Sequence, residues 1–312
     1  MDKRQFLAAG VGVTIGLAGP ANAQTPPKRA GTDDLGRTGG ERAAPIPRTK
    51  ARTTTMFLTP PSWPNAISYE EGKGFWVQEQ RHDNAKEKAW LLDFKTGKVL
   101  HEVTTNCKDC SGMTYGDGYI WSGANGGSER DHPTPPINGI FQTDMNSKQV
   151  SQRQLPFGPK DDGGSCHGMG WEDGKIWAYA NRMNAIIRIN PKTWETDFIF
   201  PVTNAVSRLH GITYDNGLIW QVCGRQDPKV GGPEGYTPGL VKYDARTGRV
   251  IQLVEFVPGS CDMHDVVVYN GQLFGVDAGE HPGWPIDERY SRPGFPDLNS
   301  PSGGYVFKID LI

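Results

Sequence analysis

The sequence has no excess of charge of either sign and almost no long apolar run. Its 312 residues carry 33 Lys and Arg against 35 Asp and Glu, which gives a net charge of −2. No basic block stands outside the termini, so the composition argues against a nucleic-acid-binding protein. The mean hydropathy is −0.54. The single apolar run, Phe6 to Ala18, is too short and too rich in Gly and Ala to predict a membrane span.

This apolar run has the features of a cleavable export signal. Lys3 and Arg4 precede it, and the A-x-A sequence of residues 21–23 ends it. The start is similar to a twin-arginine signal, and an ordinary secretory signal is the alternative. We expect a signal over 1–23, followed by a disordered leader over 24–50 that is rich in Pro, Gly, Arg and Thr. The mature protein is then periplasmic or secreted, without membrane contact after signal cleavage.

One pattern occurs five times after residue 51. Each copy has a short apolar strand, a turn rich in Asp, Asn and Gly, and a second strand that carries an aromatic residue, which is the pattern of a β-hairpin. The copies are Asn65–Trp76, Ser111–Trp121, His167–Trp177, His210–Trp220 and His264–Phe274. Because the five copies share this order of strand, turn and aromatic strand, the repeat is the strongest structural signal in the chain.

Two further strands follow most of the hairpins. Third strands are predicted over 90–93, 140–144, 186–190, 240–244 and 304–310, and fourth strands over 98–103, 148–155, 196–202 and 249–256. Four antiparallel strands repeating about every 50 residues are typical of β-propeller blades. Residues 53–59 are expected to supply the missing fourth strand of the fifth copy and so to close the ring. The prediction is an all-β, five-bladed β-propeller over 51–312; a six-bladed ring with a degenerate blade is the alternative.

The residues that open the five first strands are predicted to meet at one mouth of the propeller, near its axis. This inner ring consists of Asn65, Ser111, His167, His210 and His264. Three of the seven histidines therefore fall at one repeat position. Three imidazoles are a ligand set for a divalent metal, so His167, His210 and His264 are candidate metal ligands and candidate catalytic groups. The structural alternative is that they only fill the channel and bond to neighbouring backbone.

A second set of positions, after the second strands, is predicted to face the same mouth. It contains Arg81, Arg182 and Arg225 at one repeat offset. Arginine forks bind carboxylates, so these residues are candidates for holding an anionic substrate, although salt bridges between blades are an equal alternative. Residues at the two preceding offsets include Asn125, Asn181, Glu79 and Asp277, and the loops 125–138, 225–238 and 279–303 belong to the same face. The tryptophans 76, 121, 177 and 220 are predicted to pack between blades.

The five cysteines, at 107, 110, 166, 223 and 261, are an odd number. In an oxidising compartment at least one is then unpaired or linked to another chain. Cys107-x-x-Cys110 has no second C-x-x-C, which weakens a zinc-knuckle interpretation and favours a disulfide in that loop or from Cys110 to a nearby blade. Cys166 and Cys261 lie close to inner-ring histidines in the sequence, so a thiol ligand or nucleophile stays open as an alternative.

The segment His210-Gly-Ile-Thr-Tyr-Asp-Asn-Gly-Leu-Ile-Trp220 resembles the repeat of virginiamycin B lyase-like propellers and of the wider gluconolactonase and senescence-marker superfamily. The resemblance covers about 51–312 and implies a propeller enzyme, by this likeness a lyase. Those relatives have six or seven blades and acidic metal ligands that do not map one for one onto this chain. Five blades and three inner-ring histidines are departures from that pattern.

Three functions follow as hypotheses. The first is a lyase for a small carboxylate-bearing substrate, in which the three histidines bind a divalent metal or one of them acts as base, and the three arginines stabilise the carboxylate. The second is a lactonase-type metal-dependent hydrolase with Glu79 or Asp277 as an acidic ligand. The third is a non-catalytic propeller that binds a peptide or a small acid. The expected partner is a small anionic molecule, and nucleic acid is not expected.

Overall fold

The computed structural model describes residues 45–81, 85–125, 139–156, 165–203, 206, 209–223, 238–257, 260–261, 263–277 and 304–312. The predicted export signal, residues 24–44 of the predicted leader, Arg225 and most of the three predicted mouth loops lie outside these residues. Within the described part, no helix has the length and apolar character needed to cross a membrane.

The described residues form twenty strands and one short 3-10 turn, Asn181–Met183, so the predicted all-β class is confirmed. The first strand is β1 (Arg48–Leu58). The next eight are β2 (Trp63–Glu70), β3 (Gly74–Gln80), β4 (Lys88–Asp93), β5 (Val99–Thr104), β6 (Cys110–Gly116), β7 (Tyr119–Ala124), β8 (Gly139–Asp144) and β9 (Gln149–Arg153). The remainder are β10 (Cys166–Glu172), β11 (Lys175–Ala180), β12 (Ala185–Ile189), β13 (Thr196–Pro201), β14 (Leu209–Asp215), β15 (Leu218–Cys223), β16 (Gly239–Asp244), β17 (Val250–Phe256), β18 (Asp265–Tyr269), β19 (Gln272–Val276) and β20 (Tyr305–Leu311).

Each repeat builds a sheet in sequence order. Three four-stranded sheets have the orders β2-β3-β4-β5, β6-β7-β8-β9 and β10-β11-β12-β13, and every neighbouring pair is antiparallel. The tight hairpin turns fit their sequences. At Asp117-Gly118, Asp173-Gly174, Asn216-Gly217 and Asn270-Gly271, both residues have positive φ. Two consecutive positive φ values favour Asn or Asp followed by Gly, and they match the twist of the paired strands.

The N-terminal strand joins the last two repeats. The remaining eight strands form one sheet of order β14-β15-β16-β17-β1-β20-β19-β18. As predicted, β1 pairs antiparallel with β20, with Ala51 opposite Leu311 and Leu58 opposite Tyr305. In addition, Arg48–Ala51 pair in parallel with β17. The predicted leader boundary is therefore wrong at its C-terminal end: residues 48–50 belong to a strand, because their backbone pairs with residues 253–255.

The first strands of the repeats contact one another in a closed cycle, β2 to β6, β10, β14, β18 and back to β2. Small residues allow this close approach. A Cβ on Gly112 would lie 2.6 Å from the backbone of Gly168, and a Cβ on Gly168 would lie 2.7 Å from the nitrogen of Ile212. Both distances are shorter than real contacts, so backbone packs directly against backbone at this level of the ring.

Asp265 occupies the repeat position at which the three preceding repeats have glycine. Its carboxyl group links β18, the first strand of the last repeat, to β2, the first strand of the first repeat. Its Oδ2 accepts a hydrogen bond from the nitrogen of Ile67 at 2.9 Å, and its Oδ1 accepts one from the nitrogen of Val266 at 2.9 Å. The residue is fully buried, and this burial raises the pKa of the carboxyl well above its usual range. This carboxyl group thus connects β18 to β2 at the point where the cycle of first strands closes.

Aromatic stacking fills the space between adjacent repeats, as predicted for the tryptophans. Trp76 stacks on Tyr115, Trp121 on Trp171 and Trp177 on Tyr214, with centroid distances of 6.1, 6.2 and 6.1 Å. In each case a second-strand tryptophan meets a first-strand ring of the next repeat. Trp220 is buried in the core cluster shared by the last two repeats, which also contains Val268.

The glycine contacts make a stability prediction. Gly168→Ala is expected to lower the free energy of unfolding by about 2 kcal/mol or more, because the added methyl meets backbone that has no rotamer to change. Ala66 occupies the same repeat position and already has room for a Cβ, so Ala66→Gly is the matched control, with an expected loss of about 1 kcal/mol. Urea unfolding of both variants checks this, and equal losses would contradict the account of the ring.

Candidate functional site

The structure brings the three inner-ring histidines together. His167 and His210 are the second residues of β10 and β14, and His264 directly precedes β18. The centroids of the His167 and His210 rings are 4.9 Å apart, and those of His210 and His264 are 4.8 Å apart. A backbone hydrogen bond of 2.9 Å from the nitrogen of Gly211 to the oxygen of His264 fixes the last two strands beside each other. We call His167, His210 and His264 the histidine cluster.

A chain of hydrogen bonds orients this cluster. Nε2 of His167 lies 3.0 Å from Nδ1 of His210. Nδ2 of Asn181 lies 3.4 Å from Nδ1 of His167 and donates to Oδ1 of Asn125 at 3.5 Å. The hydroxyl of Ser165 donates to the same Asn125 oxygen at 2.9 Å. Asn125 and Asn181 stand one residue before the second predicted set in their repeats, and Asn181 contacts the inner ring at His167.

One assignment of protons satisfies both contacts of His167. Since the Asn181 amide nitrogen donates, Nδ1 of His167 accepts, and a neutral His167 carries its proton on Nε2. That Nε2–H then donates to Nδ1 of His210, which places the proton of a neutral His210 on Nε2. An N–H···N bond needs one donor and one acceptor, so the two facing nitrogens share a single proton.

The other two members of the inner ring are hydrogen-bonded to each other. Nδ2 of Asn65 donates to the oxygen of Cys110 at 3.0 Å and to the hydroxyl of Ser111 at 3.3 Å. Asn65 and Ser111 are both buried, while His167 is only half-buried. The ring therefore has an amide–hydroxyl side and an imidazole side, and only the imidazole side offers groups that exchange protons near neutral pH.

The predicted arginines have different environments. Arg182 is exposed in the 3-10 turn and follows Asn181, the residue that contacts His167. Arg81 follows β3 in the first repeat and pairs with Glu79 through a 3.4 Å contact from its guanidinium to Oε2. Arg225 lies outside the described residues. Of the three predicted arginines, the structure therefore describes two, Arg81 and Arg182, and their environments differ.

The predicted acidic candidates are buried. Glu79 also accepts a hydrogen bond from the nitrogen of Lys88 at 3.1 Å, and its burial raises its pKa to about 7 despite the opposing effect of Arg81. Asp277 is fully buried at the end of the described segment after β19. Both residues thus lie where the repeat pattern predicts, at the ends of second strands.

The expectation of a disulfide is wrong: all five cysteines are free thiols and all are buried. Each repeat-position thiol bonds within its own strand, since Sγ of Cys110 donates to the oxygen of Gly112 at 3.4 Å and Sγ of Cys166 to the oxygen of Gly168 at 3.6 Å. Burial raises the pKa of the Cys107 and Cys110 thiols. These cysteines are therefore protonated and unreactive unless a cation or an oxidant reaches them.

Glu87 joins Cys107 and Cys110 in a group that sequence reasoning missed. One ligand atom from each of the three lies within 4.8 Å of the other two. Across the described residues, no other set of three His, Cys, Asp or Glu ligand atoms is this compact, so the histidine cluster does not converge on one point in the same way. We call Glu87, Cys107 and Cys110 the thiol–acid cluster. The Cys-x-x-Cys spacing was visible in the sequence, but nothing there connects Glu87 to it.

Comparison with known proteins shows the fold. No protein-family model matches the sequence, and no curated protein is similar enough in sequence to count as a relative. A glutaminyl cyclase of Myxococcus xanthus, a β-propeller, is similar in structure with a TM-score of 0.54 and 10% identity, over 86% of this chain and 98% of that one. A luciferin-regenerating enzyme gives a TM-score of 0.45 and 12% identity, over 78% and 76%.

The chain therefore has a β-propeller fold. The likeness to the glutaminyl cyclase shows the fold alone and does not support the virginiamycin B lyase-like family in particular. Because the identity is low, this likeness leaves the activity to be argued from the site.

The raised pKa of Glu79 predicts a pH-dependent stability. A carboxyl whose pKa rises from 4.5 to about 7 on folding holds its proton longer in the folded state. As the pH rises from 4.5 to about 7, the free energy of unfolding of the wild-type protein should therefore fall relative to that of Glu79→Gln. The total loss should be about 3 kcal/mol. Unfolding free energies measured across this range check the difference.

Glu102 provides the control with the opposite sign. Its hydrogen bonds from Lys88 and Trp90 lower the pKa of its carboxyl. Its contribution to stability is then present above the pKa of the unfolded chain and lost as the pH falls, so Glu102→Gln should change only the acid limb. A Glu79→Gln variant with the wild-type pH profile would contradict the burial of an acidic group at this site.

Proposed function

We propose that the chain is a five-bladed β-propeller enzyme, exported to the periplasm or beyond, that acts as a lyase on a small carboxylate-bearing molecule. Support for five blades comes from the three four-stranded sheets, from the division of the eight-stranded sheet at β1 into two groups of four, and from the closed cycle of five first strands. Support for export comes from the residues that resemble a signal over 1–23.

The observation that carries the proposed activity is the 3.0 Å contact between His167 and His210. Elimination next to a carboxylate needs a base for the α proton and an acid for the leaving group. In the tautomer that satisfies this hydrogen-bond chain, His210 carries its proton on Nε2, and we assign this proton to the leaving group. Nε2 of His210 is buried, so the leaving group has to enter the ring to receive it. His264, the neighbour of His210, is then the base, and His167 is a positioning residue that fixes the tautomer of His210.

In the proposed reaction, His264 takes the α proton and the electron pair of that C–H bond forms the new carbon–carbon double bond. The leaving group departs from the β carbon with the proton of His210. Arg182, exposed beside Asn181, and Arg225, at the same repeat offset, would bind the carboxylate and stabilise the charge that builds on it. The substrate is accordingly a small organic acid with a leaving group on the β carbon.

The proposal predicts which histidines matter. His210→Ala and His264→Ala should each lower kcat by about 100-fold or more, the usual contribution of a positioned acid or base. His101→Ala is the matched control, because His101 lies exposed on β5 and bonds to the oxygen of Met145, away from the inner ring. Assay of β-substituted carboxylic acids by the ultraviolet absorbance of the unsaturated product measures the effect.

Other outcomes separate the remaining functions. The metal-dependent hydrolase would replace the proposal if three results were found together. The protein would open a lactone without forming an unsaturated product, turnover would require a bound metal, and His210→Ala would lose that metal. Ligand-dependent thermal stabilisation with no product by mass spectrometry would replace it with a binding propeller. Activity that is unchanged in both histidine variants would rule out the histidine cluster as the site of chemistry.

A further inference from the structure

We propose that the thiol–acid cluster of Glu87, Cys107 and Cys110 binds one soft divalent cation, zinc or a metal of the same class, as a structural site in the first two repeats. This site is distinct from the histidine cluster: its residues come from the segment between β3 and β6, whereas the histidines open the first strands of the last three repeats. It does not depend on the proposed lyase activity.

The three donors come from separate segments that meet in the core. Glu87 directly precedes β4, Cys107 lies in the connection from β5 to β6, and Cys110 is the first residue of β6. All three side chains are fully buried, with 0% exposure. Their ligand atoms lie within 4.8 Å of one another. A tetrahedral zinc with bonds of about 2.3 Å to sulfur needs ligand atoms just under 4 Å apart, so only a small contraction is required.

The types of donor select the metal. Two thiolates favour a soft or borderline cation, and they disfavour calcium and magnesium, which take oxygen ligands. Binding would displace the two thiol protons, together with any proton held by the buried Glu87 carboxyl, to solvent, leaving two thiolates and one carboxylate around the cation. Three protein ligands leave one tetrahedral position for a water molecule or for a further oxygen such as that of Asp109, which lies between the two cysteines and is itself buried.

Backbone groups hold the ligands in place in the way that outer partners do at metal sites. Both oxygens of Glu87 accept from the nitrogen of Cys110, at 3.3 and 3.2 Å, and Oε1 also accepts from the nitrogen of Arg81 at 2.9 Å. The backbone oxygen of Glu87 accepts from the nitrogen of Thr105 at 2.8 Å. The carboxylate is thus aimed at the start of β6, where Cys110 stands.

The repeat itself does not require this cluster. Cys166 occupies the position of Cys110 in the next repeat, is equally buried and bonds to the equivalent backbone oxygen. In the described part of the chain, however, it belongs to no group of three ligand atoms. The second cysteine and the glutamate are therefore additions to the repeat at one place, and their donor atoms face each other, which is the arrangement that a bound metal needs.

The test uses full-length protein, purified under reducing conditions without chelators and then exposed to zinc. We expect one zinc per chain by elemental analysis, and a thiolate-to-metal charge-transfer band when cobalt replaces zinc. Cys110→Ser and Glu87→Gln should each lower zinc affinity by at least about tenfold. Tenfold is the lower limit because the loss of a residue that only hydrogen-bonds to a metal ligand already has about this effect. Glu87→Gln keeps a carbonyl oxygen for the backbone donors, so it should still fold.

Cys166→Ser is the matched control and should bind zinc like the wild type, as should His210→Ala. Zinc should raise the melting temperature of the wild-type protein and of both controls, but not that of Cys110→Ser. A second preparation without reductant tests the competing disulfide: a mass two hydrogens lower, mapped by peptide analysis to a Cys107–Cys110 disulfide, would overturn the proposal. Reduced thiols that bind no zinc, or equal zinc loss in Cys166→Ser, would also overturn it.

Discussion

Direct backbone contact between the first strands is the constraint on which the rest of this structure depends. At Gly112 and Gly168 there is no room for a Cβ, because the next first strand lies against the chain at 2.6 to 2.7 Å from where that atom would be. The cycle is completed by Asp265, whose carboxyl reaches the nitrogen of Ile67 at 2.9 Å. Strands that approach this closely leave no freedom in register, so the residue that precedes each of these positions is fixed near the axis.

The function follows from which residue each repeat places there. On the imidazole side, neighbouring strands bring His167 and His210 to 3.0 Å, a separation that lone surface histidines would not maintain. On the other side, Asn65 and Ser111 bond to each other, and the backbone next to Ser111 belongs to Cys110 of the thiol–acid cluster. One closed ring thus supports two chemically different clusters: imidazoles, which we propose for proton transfer, and two thiols with a carboxyl group, which we propose for a metal.

Much of this was predictable because a repeat fixes both strand order and side-chain direction. The hairpins, the pairing of β1 with β20, the tryptophan stacking and the meeting of Asn181 with His167 all follow from aligned positions. What breaks the repeat could not be predicted in the same way. Glu87 has no signal linking it to Cys107. All five cysteines are buried free thiols where a disulfide was expected. Asp265 connects the first strands of the last and the first repeat. Arg225 and the long loops lie outside the described residues, so the anion-binding half of the site rests on sequence alone.

The most direct measurement of the central claim is nitrogen NMR on protein with isotope-labelled histidine. The account predicts a scalar coupling through the hydrogen bond between Nε2 of His167 and Nδ1 of His210, with the proton on Nε2 of His167, and its loss in His167→Asn. It further predicts that the coupling weakens in Gly168→Ala, where the first strands are forced apart. Two rings that titrate independently, with no coupling between them, would contradict the claim that ring closure builds a shared proton site.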